Sequence, residues 1–283
     1  MIGRRNAMGV IGGGMALAAT SAIAGTSKIP ALDTPKGRMR AFILMRGALD
    51  ERLVTGSMTG RYWGCVNGVM IPLFNVVSVL FARYRALADG SYYSVSVEQS
   101  YFTDKTTGEW LKAFVNPYTG KTVKVPTDPY PAIAATFTPD LEMRVPTLPP
   151  GMVLNHVSTP FIVQGDDVMM NEIVTATTTP AGGGKAGLHH EITTLHARLS
   201  DLRRPDARRV PCAVTYTSVK SWRTWLEMGD LPGETVSTGN GSFGVPVTDF
   251  PKTWVEATRQ FRPALLSDPM KLLEPLWRSG PAE

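Results

Sequence analysis

The sequence predicts a mainly β protein: an antiparallel β-barrel, calycin-like or larger, closed or nearly closed, with one or two short C-terminal helices. Three observations predict it. Turn signals recur at hairpin spacing between strand-like runs. Twenty-two prolines and twenty-seven glycines in 283 residues argue for many turns and few long helices. The strand-like runs number about ten to twelve, enough to close or nearly close a barrel.

The turn signals are sharpest between Tyr92 and Pro126. Asp104-Lys105-Thr106-Thr107-Gly108 and Asn116-Pro117-Tyr118-Thr119-Gly120 each open on a short side chain that bonds back to its own backbone. Each closes on glycine, which accepts positive φ without steric cost. The glycines lie twelve residues apart, the spacing of hairpins in an antiparallel meander. The strands predicted around them are 92–103, 109–115 and 121–125.

In chain order, residues 25–38 read as a linker and 39–45 as an apolar, strand-like run. Residues 54–66 read as a strand with Gly56, Gly60 and Gly64 at every fourth place, a sign of bending or close backbone approach, as at a barrel corner. The run 69–74 breaks at Pro72. Residues 75–87 form the next strand, with Val77, Val79, Phe81, Arg83 and Arg85 on one face and Asp89-Gly90 as the turn after it. Beyond the meander, 126–151 is proline-rich and reads as an extended surface crossing inside a single domain spanning 39–283. Strands resume at 156–163, turn at Gly165-Asp166-Asp167 and return through 168–178. The loop 180–187 is glycine-rich but lacks the Gly-x-x-x-x-Gly-Lys-Ser/Thr spacing of a phosphate loop. Strands 188–199 and 212–222 flank a basic turn, and 234–243, with Gly239-Asn240-Gly241, reads as a last hairpin. Residues 251–262 open on a proline in a helix-start position and place Trp254, Ala257 and Phe261 on one face; 267–277 reads as a second helix.

Hydrophobic content of 43% against 19% charged residues implies a sizeable packed core. Residues 1–24 hold Arg4-Arg5, a weakly apolar uncharged run and Ala22-Ile23-Ala24, a small-x-small cleavage site. They resemble a Tat leader, although Asn6-Ala7-Met8-Gly9 stands where Phe-Leu-Lys is usual. The reading is a periplasmic or extracellular protein that meets the Tat translocase during export and keeps no stable membrane span after cleavage. The net charge of +5 falls to +3 without the two leader arginines. That surplus, with no basic run interleaved by aromatics, argues against nucleic acid. Cys65 and Cys212 either pair or stay as two buried thiols. No motif indicates a cofactor, and neither Gly-x-Ser-x-Gly nor a strand-to-helix Gly-x-Gly-x-x-Gly occurs.

The run Tyr101-Phe102-Thr103-Asp104, Thr107-Gly108-Glu109-Trp110, Asn116-Pro117-Tyr118-Thr119-Gly120 resembles the bacterial domain-of-unknown-function family numbered 1838. So does Trp225-Leu226-Glu227-Met228-Gly229-Asp230-Leu231-Pro232-Gly233. The likeness spans about Met39 to Trp277, and many members look Tat-exported. It implies a shared fold and carries no catalytic residues to transfer.

Candidates for chemistry therefore come from strand parity, since successive side chains point to opposite faces. In 188–199, His190 and His196 share a face but stand roughly 20 Å apart, too far to ligate one metal. His189 and Glu191 share the other face at roughly 7 Å. In 92–103, Ser94, Ser96, Glu98, Ser100 and Phe102 share one face, and Val95, Val97, Gln99 and Tyr101 the other. Such mixed faces are what a polar-lined cavity leaves in a strand. Glu98 in a cavity needs a partner, and Arg83 or Arg85 on a neighbouring strand is the expected one. The catalytic candidates are Glu98 as base, Arg83 as holder of a carboxylate or phenolate, and Tyr101 and His190 as proton relays. The candidate ligand contacts are Trp63, Trp222, Trp225 and Glu191, with Trp222 and Trp225 either capping the barrel mouth or packing under the C-terminal helix. The function expected is cofactor-independent acid/base chemistry, of lyase or isomerase type, on a small hydrophobic or aromatic molecule; the alternative is a periplasmic carrier of lipophilic ligands without turnover.

Overall fold

A computed structural model describes residues 32, 34–180, 182 and 186–281. The leader-like run 1–24 and most of the expected linker lie outside the described residues. The fold is a nearly closed antiparallel barrel of ten strands in the order β7-β6-β3-β2-β1-β13-β12-β11-β10-β8. The first three strands are β1 (Val54–Val66), β2 (Val69–Ala86) and β3 (Tyr92–Thr103). A separate hairpin, β4 (Ala113–Val115) with β5 (Thr122–Lys124), leaves the barrel wall, which resumes at β6 (Ile133–Phe137) and β7 (Met143–Arg144). β8 (Met152–Ser158), β9 (Ile162–Gln164), β10 (Asp167–Thr178), β11 (Gly187–Arg198), β12 (Cys212–Ser221) and β13 (Glu234–Phe243) follow, with β9 paired to β10 beside β8. At the seam between β7 and β8, side chains complete the circuit. The Met143 N–H donates to His156 Nδ1 at 3.2 Å and the Ser158 hydroxyl to the Leu141 carbonyl at 3.1 Å.

Residues 39–45 are not a strand. They belong to a helix, α1 (Pro35–Arg46), with proline in its first turn and the Thr34 hydroxyl accepting the Gly37 N–H at 3.0 Å. Met39, Ala41, Phe42, Ile43, Leu44 and Met45 are all buried, and a run as short and continuously apolar as 41–45 shows no period to tell a helix from a strand. The helix plugs one end of the barrel. It packs on the inward side chains Ala82, Tyr84, Val168, Met170, Leu195, Val214 and Phe243.

The C-terminal helices α3 (Lys252–Phe261), α4 (Ala264–Ser267) and α5 (Pro269–Ser279) lie on the outside, after the one-turn α2 (Leu199–Leu202) has joined β11 to β12. Trp254, Ala257, Leu265, Leu273 and Trp277 cover the outer faces of β2 and β3, burying Val77, Val79, Phe81, Tyr93, Val95, Val97 and Tyr101. The other barrel end is covered by β4–β5 and the β12–β13 connection, where Leu226, Met228 and Trp225 pack on Tyr62, Phe74, Val76 and Phe102. Both sequence turns form as expected, with Gly108 and Gly120 at φ 72° and 70°. Asn116 also donates to the Leu226 carbonyl at 2.7 Å, which ties the second turn to the cap.

Two expectations about β structure change. Residues 69–86 run as one strand, and the interruption at Pro72 is a bulge where Trp63 takes the place opposite it. Residues 234–243 form a continuous strand rather than a hairpin, because Gly239 and Gly241 face inward where the wall is crowded. A Cβ at Gly239 would meet the Tyr216 ring at 2.4 Å and the Thr59 carbonyl at 2.6 Å; one at Gly60 would meet the Thr238 carbonyl and the Tyr216 hydroxyl, both at 2.5 Å. Gly60→Ala is expected to lower stability by about 1–3 kcal/mol, as overpacking does. Urea denaturation checks this, and an unchanged midpoint would show that Tyr216 does not lie over the bare glycine wall.

Candidate functional site

Strand register decides which side chains share the lumen. One row across the barrel runs Glu172, Thr193, Tyr216, Gly239, Gly60, Val76. The next runs His156, Val174, Glu191, Ser218, Ser237, Tyr62, Phe74. Lys220 and His189 sit one row further toward the capped end, and Glu98 faces inward from β3 opposite Leu80. At the α1 end the inward residues are sealed, with Val168, Met170 and Leu195 fully buried. In the middle burial is uneven. Met58, Leu80, Ser96, Glu98, Val174, Glu191, Thr193 and Tyr216 keep partial exposure although they point into the barrel, whereas Tyr62, Val76, Ser78, Ser218 and Ser237 are buried. Solvent therefore reaches part of the lumen between the plug and the cap.

Four polar groupings line it. The first closes the floor: the Arg46 guanidinium, carried on the last residue of α1, bonds the Glu172 carboxylate and donates to the Tyr84 hydroxyl at 3.0 Å. Because the Met143 N–H occupies His156 Nδ1, the ring proton lies on Nε2 and points at Glu172, 3.2 Å away. Burial pushes the Glu172 carboxyl up, but Arg46 and His156 outweigh it and hold the carboxyl below its ordinary range. The second grouping joins Glu191 to His189 at 3.3 Å and to Lys220 at 3.6 Å. Burial again opposes the Glu191 charge, and these two partners bring its carboxyl down.

The third grouping stands at the capped end. Arg223 donates to the Tyr62 hydroxyl at 2.7 Å and lies over the rings of Tyr62 and Phe102, 5.1 and 5.2 Å from their centroids. The Tyr130 hydroxyl approaches the same guanidinium. Burial disfavours the Tyr62 phenolate, yet Arg223 and Lys220 draw the phenol below its ordinary value. Tyr130 and Tyr216 shift upward: burial outweighs Arg223 at Tyr130, and at Tyr216 burial is reinforced by Tyr62, Glu191 and Glu98. The fourth grouping is Glu98, whose Oε1 accepts from Ser78 and, at 3.1 Å, from Ser100. Tyr216 feels Tyr62, Glu191 and Glu98, which places all four in one electrostatic neighbourhood.

Of the residues singled out in the sequence, Glu98 and Glu191 face this lumen. Arg83, Tyr101 and His190 do not. Arg83 is opposite Val95 rather than Glu98, on the outer face of β2; it stacks 4.2 Å from the Trp277 ring centroid and pairs with Glu51 at 3.5 Å. The expected Glu98 pairing with Arg83 or Arg85 is therefore corrected, since Arg85 also stacks on Trp277 outside the barrel at 4.5 Å. Tyr101 is buried on the outside under α3, between Trp254 and Phe261. His190 is exposed on the outer face of β11. Trp222 and Trp225 belong to the cap at the barrel end: Trp222 donates to the Leu231 carbonyl at 3.0 Å, and Trp225 packs on Phe74 and Phe102. Trp63 lines an open groove of about 680 Å³ on the outer wall with Thr59, Arg61, Thr215, Thr217 and Asn240. That groove gathers no set of titratable groups, as Arg61 is engaged by Asn75 at 2.9 Å. Chemistry is better served by the lumen.

Sequence reasoning missed Tyr62, Tyr130, Tyr216, Lys220, Arg223 and the Arg46–Glu172–His156 floor. Tyr62 shares parity with Gly56 and Gly60, a usable signal. Arg223 lies just past the end of β12, where no periodicity applies. Cys65 and Cys212 are both free, and burial pushes the Cys212 thiol up to about 12. Among the described residues no group of three or more His, Cys, Asp or Glu is placed to hold a metal, and no helix is long and apolar enough to cross a membrane.

No family model matches the chain, and no curated protein matches it. Among solved structures it is similar to the M. tuberculosis protein Rv2717c, at 12% identity and TM-score 0.24 over 65% of this chain and 89% of that one. It is also similar to a mutant porin of Rh. blastica, at 9% identity and TM-score 0.19 over 68% of this chain and 99% of that one. At such scores neither carries an argument about function.

Proposed function

We propose that this barrel binds a small hydrophobic or aromatic molecule in its lumen and transfers a proton on it, as an exported lyase or isomerase using its own side chains. Glu98 is the base, and Tyr62, drawn toward its phenolate by Arg223 and Lys220, is the second proton-transfer group. The observation that carries the reading is the set of partly exposed inward ionisable groups, Glu98, Glu191, Tyr216 and Lys220, between two sealed ends. A carboxylate held only by serine hydroxyls keeps lone pairs to take a proton, whereas Glu172 and Glu191 are committed to cations. Phe102, Tyr62 and Tyr216 supply apolar ring surface beside them.

Untargeted mass spectrometry of compounds retained by the purified protein identifies the ligand, and proton NMR in heavy water then follows it. The expected result is a retained aromatic or hydrophobic compound that gains deuterium at a carbon position faster with protein than without. A ligand that binds and never exchanges identifies a carrier without turnover and overturns the catalytic half of the reading. A protein that retains nothing and is stabilised by no aromatic compound overturns the whole of it.

A further inference from the structure

The charges inside the barrel do not cancel where they stand. Arg46 is neutralised by Glu172 and Lys220 by Glu191. Two charged groups remain, Arg223 and Glu98, and they are not joined to each other: Glu98 is held by Ser78 and Ser100, Arg223 by the phenol oxygen of Tyr62. Among the described residues no carboxylate pairs with Arg223. Its Nε–H is also buried with no hydrogen-bond partner. A buried, unsatisfied donor on a guanidinium is costly, and a charged acceptor is what satisfies it best.

From this we infer that the lumenal ligand is an anion: a small aromatic or hydrophobic acid whose carboxylate is held by Arg223, with its apolar body directed along the barrel toward Glu98. The inference deepens the lumenal reading above and rests on it. The guanidinium fork holds a planar carboxylate by donating two parallel N–H groups, and Nε–H is the one without a partner. The rings of Tyr62 and Phe102 under the guanidinium screen it from water, which strengthens an ion contact made there. Beyond the carboxylate, the half-buried Met58, Leu80 and Val174 offer apolar wall, and the far end is closed by α1. The arrangement separates the group that holds the acid from the group that takes the proton. A carboxylate at Arg223 also leaves Glu98 free of direct like-charge contact.

Two dyes that differ by one sulfonate test the inference on the intact chain: anilinonaphthalenesulfonate and neutral N-phenylnaphthylamine, titrated by fluorescence. The wild-type protein is expected to bind the anionic dye about ten- to a hundredfold more tightly, the range of a hydrogen bond to a charged group. Arg223→Met is expected to erase that preference and leave the affinity for the neutral dye in place. Arg223→Lys, which keeps charge but loses the fork, is expected to retain part of the preference and serves if the methionine variant does not fold. Equal wild-type affinity for the two dyes overturns the anion site while leaving the lumen a binding cavity. Failure to bind either dye overturns the lumenal reading itself. A preference undiminished in both variants places the anion elsewhere and overturns the role of Arg223.

Discussion

Replacing Glu172 with leucine is expected to destabilise the protein by about 3–5 kcal/mol, the cost of stranding one member of a buried ion pair. Glu172 is 4% exposed, and its two oxygens are divided between Arg46 and His156. Arg46 ends α1, so its charge also sits where the helix dipole favours a cation, and its guanidinium is the polar tip of an otherwise apolar plug. Without Glu172 that charge is left among the rings of Phe42, Phe137 and Phe243 with only the Tyr84 oxygen to accept from it. Urea unfolding is expected to show a lower midpoint at unchanged slope. Arg46→Met combined with Glu172→Leu is expected to recover most of the loss, because replacing both charges removes the desolvation penalty together with the attraction. A double variant as unstable as the sum of the singles would mean that the two residues do not act as a pair. The pH dependence has a definite sign. The folded Glu172 carboxyl titrates below its unfolded value, so the folded state binds fewer protons there and stability falls with acid. Its contribution is complete above the unfolded carboxylate range and is lost as pH drops through the depressed folded value. Glu172→Leu flattens that acid limb.

Parity was legible in the sequence, but which face turns inward was not. The alternation in 54–66 and 92–103 follows directly from residue order, and both strands have the bounds expected of them. The more apolar face of β2 and β3 is the outside, because α3 and α5 cover Val77, Val79, Phe81, Val95 and Val97 as thoroughly as any interior would. Adjacency of the two strands suggests Arg83 as a partner of Glu98, but the register sets Glu98 opposite Leu80, so Arg83 falls on the other face and stacks on Trp277. The strands 109–115 and 121–125 pair with each other as their turns require, but no local signal says whether a hairpin joins the main sheet. β6 lay hidden in the proline-rich stretch because it starts two residues after Pro131 and is only five residues long, against β3 on one side and the two-residue β7 on the other. Half of the candidate site comes from register across distant strands: Tyr62, Ser237, Ser218 and Glu191 lie in one row only once four strands are aligned.

Glu98→Gln is expected to slow deuterium exchange into the bound ligand by about a hundred- to ten-thousandfold, the usual contribution of a positioned general base. Glutamine has nearly the same shape and still offers a carbonyl oxygen to Ser78 and Ser100, so the wall of the lumen is kept. What it lacks is a basic lone pair of carboxylate strength. Ligand affinity, assigned here to Arg223 and the ring surfaces, is expected to stay within about threefold, since no uniform binding is lost. Ser78→Ala removes one donor to the same oxygen and is expected to slow exchange far less, because the carboxylate itself remains. Single-turnover exchange beside a direct titration of affinity separates the two quantities. If Glu98→Gln exchanges at the wild-type rate, the base is another group, and Tyr62 is the one that Arg223 and Lys220 have prepared for the role. If instead rate and affinity fall together by the same factor, Glu98 holds the ligand rather than deprotonating it, and the division of labour between Arg223 and Glu98 fails.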